Sequence, residues 1–182
     1  MKQIFIIALL CILAFSLRIY RLTEIPNSIS ADEASFAYNA YSILQTGKDE
    51  FGYKLPLYFQ SFDDYKNPLF GYLLVPFIKL GGLNDETIRI PSVLLGTLVI
   101  PLFYLLSLKI IKNKRVALLA SFFATISPWL IQYSRVAIDM ELSLFTTLLG
   151  IYVFLKGFDN KIYYPISAII LGLAFYSYHS VK

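Results

Sequence analysis

The sequence has few residues of the kinds that build disulfides and metal sites. It contains one cysteine, Cys11, and one histidine, His179, among 182 residues. The cysteine lies inside an apolar run, so it forms no disulfide framework. No metal-ligand spacing, glycine-rich phosphate loop or Ser-His-Asp order is present. A divalent metal shared by Asp32 and Asp139 stays open, because oxygen ligands leave no short sequence signature.

Charged residues are also scarce. They make up 15% of the chain, against 57% hydrophobic residues, and the mean hydropathy is +0.63. This composition is too apolar for an ordinary soluble domain and predicts an all-α, polytopic membrane protein. The net charge of +4 does not indicate a nucleic-acid partner, because the basic residues flank apolar runs instead of sharing one face.

Uncharged runs divide the chain into predicted transmembrane helices. Each of the longer ones approaches the roughly 20 residues that cross a bilayer. The first could instead be a signal peptide, since Lys2 precedes it, but it continues through Leu22 without a small-residue pair. In that first span Arg18 and Arg21 are expected to snorkel to the interface. The five runs cover residues 3–17, 90–108, 116–134, 142–155 and 162–181.

The segment 67–78 is apolar but short, and Pro76 interrupts it. It suits a re-entrant or interfacial helix better than a crossing. With a cytoplasmic amino terminus, five spans then place six basic residues in cytoplasmic turns, as the positive-inside bias requires. Residues 22–88 and 135–141 fall on the extracytoplasmic side of the cell membrane. The six residues are Lys109, Lys112, Lys114, Arg115, Lys156 and Lys161.

The loop 22–88 carries nine of the twelve acidic residues. A helix is predicted from Ser30 to Gly47, with Ser30 and Glu33 as a capping box. Asp32 lies four residues before Phe36 on the apolar stripe, so it is expected to point toward protein or membrane. It could equally serve only the helix dipole, and Glu33 only the cap.

Three further groups of the same membrane face are candidate ligands of a substrate. Lys66 could neutralise the phosphate of a lipid carrier, or snorkel, or pair with Asp63 or Asp64. Asp139 could belong to a site or be an ordinary interfacial charge. His179 could bind a sugar hydroxyl or a phosphate, or be an interfacial histidine.

An ordered series of short motifs resembles the GT-C superfamily of membrane glycosyltransferases, especially members related to protein O-mannosyltransferases and to the lipid A aminoarabinose transferase. The resemblance covers nearly the whole chain. One departure is Asn67, where many relatives have the first of two prolines. The motifs are Asp32-Glu33, 46–50, 56–58, Asp64-Tyr65-Lys66-Asn67-Pro68, 89–92 and Ser134 to Asp139.

The resemblance implies inverting transfer of a sugar from a polyprenyl-phosphate donor to a hydroxyl of a lipid, glycan or protein acceptor. Asp32 would be the general base or orient the acceptor, and Glu33 would support it. Lys66 would meet the phosphate, with Asp64 and Tyr65 beside it in the motif. Asp139 would be the acidic residue of the second outer loop, and Arg135 a further phosphate ligand.

Because such relatives are commonly longer, residues 1–182 are expected to be the amino-terminal part of a GT-C transmembrane domain. Residues 1–21 would be the first span, 22–88 the outer loop, and 89–182 four further spans. Two other classes remain open: a non-catalytic membrane scaffold or inactive truncated copy, and a transporter subunit. A transporter should place charged or helix-breaking sites near the midplane of paired repeats.

Overall fold

The computed structural model describes residues 2–61 and 64–178, and for Asp64 the backbone alone. Helices account for 73% of the chain, which confirms the all-α polytopic prediction. In chain order the elements are α1 (Lys2–Ile19), α2 (Ala31–Thr46), β1 (Phe59–Ser61), β2 (Asp64–Lys66), α3 (Leu69–Gly81), α4 (Asp85–Ile111), α5 (Lys114–Ile126), α6 (Pro128–Tyr133), α7 (Asp139–Gly157) and α8 (Tyr163–Ser177).

Three helices of the described part are long and apolar enough to cross a membrane: α1, α4 and α7. The apolar helices α3 and α8 are shorter, with 13 and 15 residues. At 1.5 Å per residue, α3 is about 20 Å long and falls short of a hydrocarbon core of about 30 Å. Its length therefore fits the re-entrant or interfacial prediction, while the count of five spans stays a prediction.

The predicted span 116–134 is not one continuous helix, because the structure divides it into α5 and α6. Ser127 between them has an extended backbone, with φ −61° and ψ 118°. Pro128 follows and opens α6 at its first turn. Proline disfavours helical geometry in the residue before it, so α5 ends there and a separate helix, α6, begins.

Helix α2 begins and ends where the capping pattern predicts. Ser30 Oγ accepts a hydrogen bond from the Glu33 N–H at 3.2 Å, and the Glu33 carboxylate accepts one from the Ser30 N–H at 3.0 Å. Gly47 ends the helix with φ +72°, and its N–H donates to the Ile43 carbonyl. The left-handed φ costs glycine nothing, because glycine has no Cβ.

The loop 22–88 folds onto the helices around one apolar core. Aromatic rings of α2, β1 and α3 meet edge to face, with Phe36 5.5 Å from Phe70 and 6.4 Å from Phe59. The two strands pair antiparallel, with Phe59 opposite Lys66. The same core includes Ile88 of α4 and Leu142 of α7. It therefore fixes the loop against the ends of two helices that are long and apolar enough to cross a membrane.

The other end of the bundle carries the basic turns. There Lys109, near the end of α4, forms an ion pair with Asp159, which follows α7. The turn between α4 and α5 lies at the same end, since α5 begins at Lys114 directly after α4. The acidic loop and the basic turns thus occupy opposite ends of the helices.

Candidate functional site

One pocket joins the three side chains that the sequence placed on a single membrane face. It has a volume of about 150 Å³ and lies between α2, β2 and the start of α7. We call it the ion-pair pocket. Its lining consists of Asp32, Phe36, Tyr65, Lys66, Asn67, Asp139 and Tyr178.

An ion pair forms the centre of this pocket. Lys66 Nζ lies 2.6 Å from Asp32 Oδ1 and 5.6 Å from the centroid of the Phe36 ring. The Lys66 side chain is 12% exposed, whereas that of Asp32 is 64% exposed. Lys66 is therefore held inside the pocket by strand β2 and the Phe36 ring, and Asp32 stands at its mouth.

Asp32 is not buried within the protein, since 64% of its side chain is exposed, and whether it faces the membrane stays a prediction. The buried residues of α2 include Glu33, Phe36, Ala37 and Ala40. The centre of the buried stripe therefore passes through Glu33, and Asp32 stands at its edge, because successive helical residues are about 100° apart.

Glu33 is buried behind the pocket and does not line it. Its side chain is 1% exposed, and Oε1 accepts hydrogen bonds from Arg89 Nε and from the Ala137 N–H, both at 2.9 Å. Burial raises the pKa of the Glu33 carboxyl, but the donors of Arg89, Ala137 and Ser30 outweigh burial and hold the pKa below its ordinary value. Glu33 thus stays charged and fixes the start of α2.

Arg89 is a key residue to which the sequence analysis gave no role beyond its place in a motif. It is fully buried in the first turns of α4. Besides Glu33 it donates to the carbonyls of Leu22, Pro26 and Ser28, each at 2.9 Å. The sequence did offer one indication of this role, because Arg89 directly precedes a long apolar run. A charge at that position requires polar partners.

Arg135 also binds backbone instead of facing the pocket. Its guanidinium donates to five carbonyl oxygens at 2.7 to 3.1 Å, so its N–H groups are engaged. This geometry gives no support to the phosphate-binding role that the resemblance implies. Burial, and then the charge of Arg89, lower the pKa of Arg135. The carbonyls belong to Leu17, Arg18, Tyr20, Arg21 and Ile25.

The expected snorkelling of Arg18 is wrong. Arg18 is fully buried, and its Nη1 donates to the Ala14 carbonyl at 3.1 Å. Its Nε and the Oε1 of Glu141, a residue of α7, each lie 3.0 Å from the place that a Cβ on Gly96 would occupy. Gly96 leaves space for the Arg18 guanidinium between the helices, and the nearby Glu141 carboxylate offers it an opposite charge.

The remaining predicted residues have mixed outcomes. Tyr65 lines the ion-pair pocket and packs edge to face on Tyr58, with ring centroids 5.0 Å apart. Asn67 and Tyr178 also line it, and the sequence analysis assigned them no role. Asp63, the side chain of Asp64 and His179 lie outside the described residues. Within the described residues, no group of three or more His, Cys, Asp or Glu side chains could hold a metal ion.

Fold and pocket together define a multi-helix membrane protein with a carboxylate–ammonium site at one end of its helices. A family model described as dolichyl-phosphate-mannose-protein mannosyltransferase matches residues 65–181. The chain belongs to this family and is a membrane glycosyltransferase of the mannosyltransferase type. Lys66 and Asp139 lie within the match, and Asp32 precedes it. No curated protein and no solved structure matches the chain.

Proposed function

We propose that the ion-pair pocket transfers a sugar from a polyprenyl-phosphate donor to an acceptor hydroxyl, with inversion at the anomeric carbon. The observation that carries this proposal is the Lys66–Asp32 pair at 2.6 Å in a pocket that also holds Asp139. The Lys66 ammonium and the Asp32 carboxylate, at the surface of a membrane protein, supply the charges that such a displacement needs.

Lys66 binds the phosphate of the donor. Its ammonium is a compact point charge with three donors, suited to a phosphate oxygen. The contact of its charge with the Phe36 ring and its place on β2 hold it at one position. As the bond to the sugar breaks, negative charge develops on the leaving phosphate, and a preorganised cation stabilises that charge more than it stabilises the ground state.

Asp32 takes the proton of the acceptor hydroxyl. The hydroxyl oxygen forms a bond to C1 of the sugar while the bond from C1 to the phosphate oxygen breaks, and the hydroxyl proton passes to the Asp32 carboxylate. The electron pair of the broken bond leaves with the phosphate, which Lys66 neutralises. Since Asp32 stands at the mouth of the pocket, with 64% of its side chain exposed, an acceptor can reach it.

Donor binding also prepares the base. Without donor, the Lys66 ammonium is paired with the Asp32 carboxylate. A bound phosphate competes for that ammonium and releases the carboxylate to accept a proton. Asp139 has Asp32 and Lys66 as its charged neighbours, and in this proposal its carboxyl group forms hydrogen bonds with the sugar hydroxyls.

The membrane orientation proposed for this site is extracytoplasmic, at the cell membrane. The basic turns lie at the end of the helices opposite to the pocket, and the positive-inside bias places such turns in the cytoplasm. A polyprenyl donor anchored in the bilayer would then present its phosphate at the level of Lys66.

The proposal is tested with Asp32→Asn in membranes that contain the protein and a labelled polyprenyl-phosphate sugar. We expect transfer to an acceptor to fall by at least about a hundredfold, as for loss of a general base, with insertion unchanged. Glu86→Gln removes an exposed carboxylate of α4 and serves as the matched control. Transfer by Asp32→Asn at the control rate would reject the assignment of Asp32.

A further inference from the structure

A second pocket lies next to the ion-pair pocket, along the start of α2. It has a volume of about 380 Å³, and we call it the loop pocket. Ala31 lines it directly before Asp32, and Gln60 lines it opposite Tyr65 in the strand register. The two pockets are therefore neighbours across the start of α2. The lining consists of Ala31, Ala34, Ser35, Tyr38, Glu50, Phe51, Gln60 and Ser61.

A buried asparagine fixes the carboxylate of this pocket. Asn39 is fully buried, and its Nδ2 donates to Glu50 Oε1 at 2.8 Å while its Oδ1 accepts from the Glu50 N–H at 3.2 Å. Asp49 Oδ1 orders the same turn by accepting from the N–H groups of Phe51 and Tyr53. Glu50 forms no ion pair within the described residues, so its fixed charge is available to a ligand.

Two exposed aromatic rings accompany this carboxylate. Tyr38 is 55% and Phe51 53% exposed, although both belong to the lining. The hydroxyl oxygen of Ser35 is buried without a hydrogen-bond partner among the described protein atoms, and Gln60 adds an amide. Apolar ring faces with a few fixed polar groups suit a ligand that has both a C–H face and hydroxyls.

We propose that the loop pocket binds a sugar unit of the acceptor, neutral or amine-bearing, and so makes the acceptor a glycan. This inference rests on the proposed function and names its acceptor class. Among the residues that the structure describes, the lining holds Glu50 and no lysine or arginine, so phosphates and uronic acids are repelled and cationic amino sugars are favoured. A sugar seated there directs a hydroxyl past Ala31 toward Asp32.

The binding test uses the full chain in detergent micelles and saturation-transfer NMR, which does not depend on turnover. The probes are methyl glucoside, glucosamine and glucuronate. We expect the first two to bind and glucuronate not to bind. Phe51→Ala should weaken binding about fivefold, as for loss of one aromatic contact. Tyr53→Ala is the matched control, because Tyr53 is as exposed in the same turn but does not line the pocket.

Glu50→Gln tests the role of charge separately from folding. It should remove the preference for glucosamine over glucuronate while leaving binding of methyl glucoside in place. Equal binding of all three sugars by the unmodified protein would overturn the proposal, as would unchanged binding by Phe51→Ala. Specific binding of a serine-rich peptide with no sugar signal would also overturn it and identify a protein acceptor.

Failure of this inference can be told apart from failure of the proposed function. If only the acceptor assignment is wrong, the probes fail to bind while transfer still depends on Asp32. If only the sugar-transfer mechanism is wrong, the sugars bind and Asp32→Asn changes nothing in turnover. Asp32→Asn is expected to retain sugar binding in the loop pocket.

Discussion

At the scale of single residues, buried arginines shape the connection between α1 and α2. Arg89 and Arg135 between them bind backbone carbonyls from Leu17 to Ser28. Buried carbonyls without donors are costly, so a segment with no regular structure needs such side chains. Arg89 also holds Glu33, the residue next to Asp32. Two residues outside the ion-pair pocket thus determine where its exposed carboxylate stands.

Arg89→Met is predicted to destabilise the protein strongly. The substitution leaves Glu33 as a buried, unpaired carboxylate and removes donors from three carbonyls, which costs about 3–5 kcal/mol. The measurement is the fraction that stays folded on heating in detergent. Arg21→Met is the control, because the Arg21–Glu24 pair is about half exposed and contributes at most about 1 kcal/mol. Equal midpoints for the two variants would show that Arg89 has no structural role.

The sequence could predict which residue types gather at the site, but not which way each one faces. The separation of Asp32, Lys66 and Asp139 between spans was enough to place them on one membrane face. Whether Asp32 or Glu33 takes the buried side depends on the rotation of α2 against α4, which Arg89 fixes. Similarly, the sequence shows that Arg135 has the charge that a phosphate ligand needs, but only the structure shows that its N–H groups bind backbone carbonyls. Such partners come from segments over 100 residues away.

At the scale of elements, the contact between β1 and α3 holds the loop in place. Gly71 of α3 lies under the Phe59 ring, and a Cβ on Gly71 would stand 2.2 Å from Phe59 Cε2. The Phe59 ring is fully buried, so it cannot move outward freely. Absence of a side chain at Gly71 is therefore required for this packing.

Gly71→Ala is predicted to loosen the loop, at a cost of about 1–3 kcal/mol from overpacking. The expected result is faster proteolysis between α2 and α3 and a lower melting temperature. Gly172→Ala provides the comparison, since nothing lies within 4 Å of its added Cβ and alanine favours helix. If both variants resist protease equally well, Phe59 does not pack on Gly71 as described.

Elements with local signals were predictable, and those without were not. Helix α2 has a capping box and a terminal glycine, so its bounds followed from sequence. The two strands have three residues each, too few to show an alternating pattern. The break at Ser127 follows from Pro128, but the continuous apolar run concealed it. The two strands form because Phe59 packs into the apolar core opposite Lys66. This cause lies in tertiary packing, which the local sequence does not show.

At the scale of the whole molecule, the pocket and the basic turns lie at opposite ends of the helices. We predict that the pocket end is extracytoplasmic. In a Cys11→Ala background, Lys54→Cys should react with an impermeant thiol reagent added to intact cells, whereas Lys161→Cys should react only after lysis. Both positions are exposed, so accessibility of the side chain does not differ. Labelling in the reverse order would invert the topology and remove the outer-face site.

Binding of polyprenyl phosphate tests the central claim most directly, because it asks whether the ion-pair pocket holds the phosphate of the donor. Lys66→Met should weaken that binding at least about tenfold, the effect of losing a charge-assisted contact of about 1.4 kcal/mol or more. Lys79→Met, which removes an exposed lysine at the end of α3, should bind as the unmodified protein does. Unchanged affinity in Lys66→Met would contradict the account.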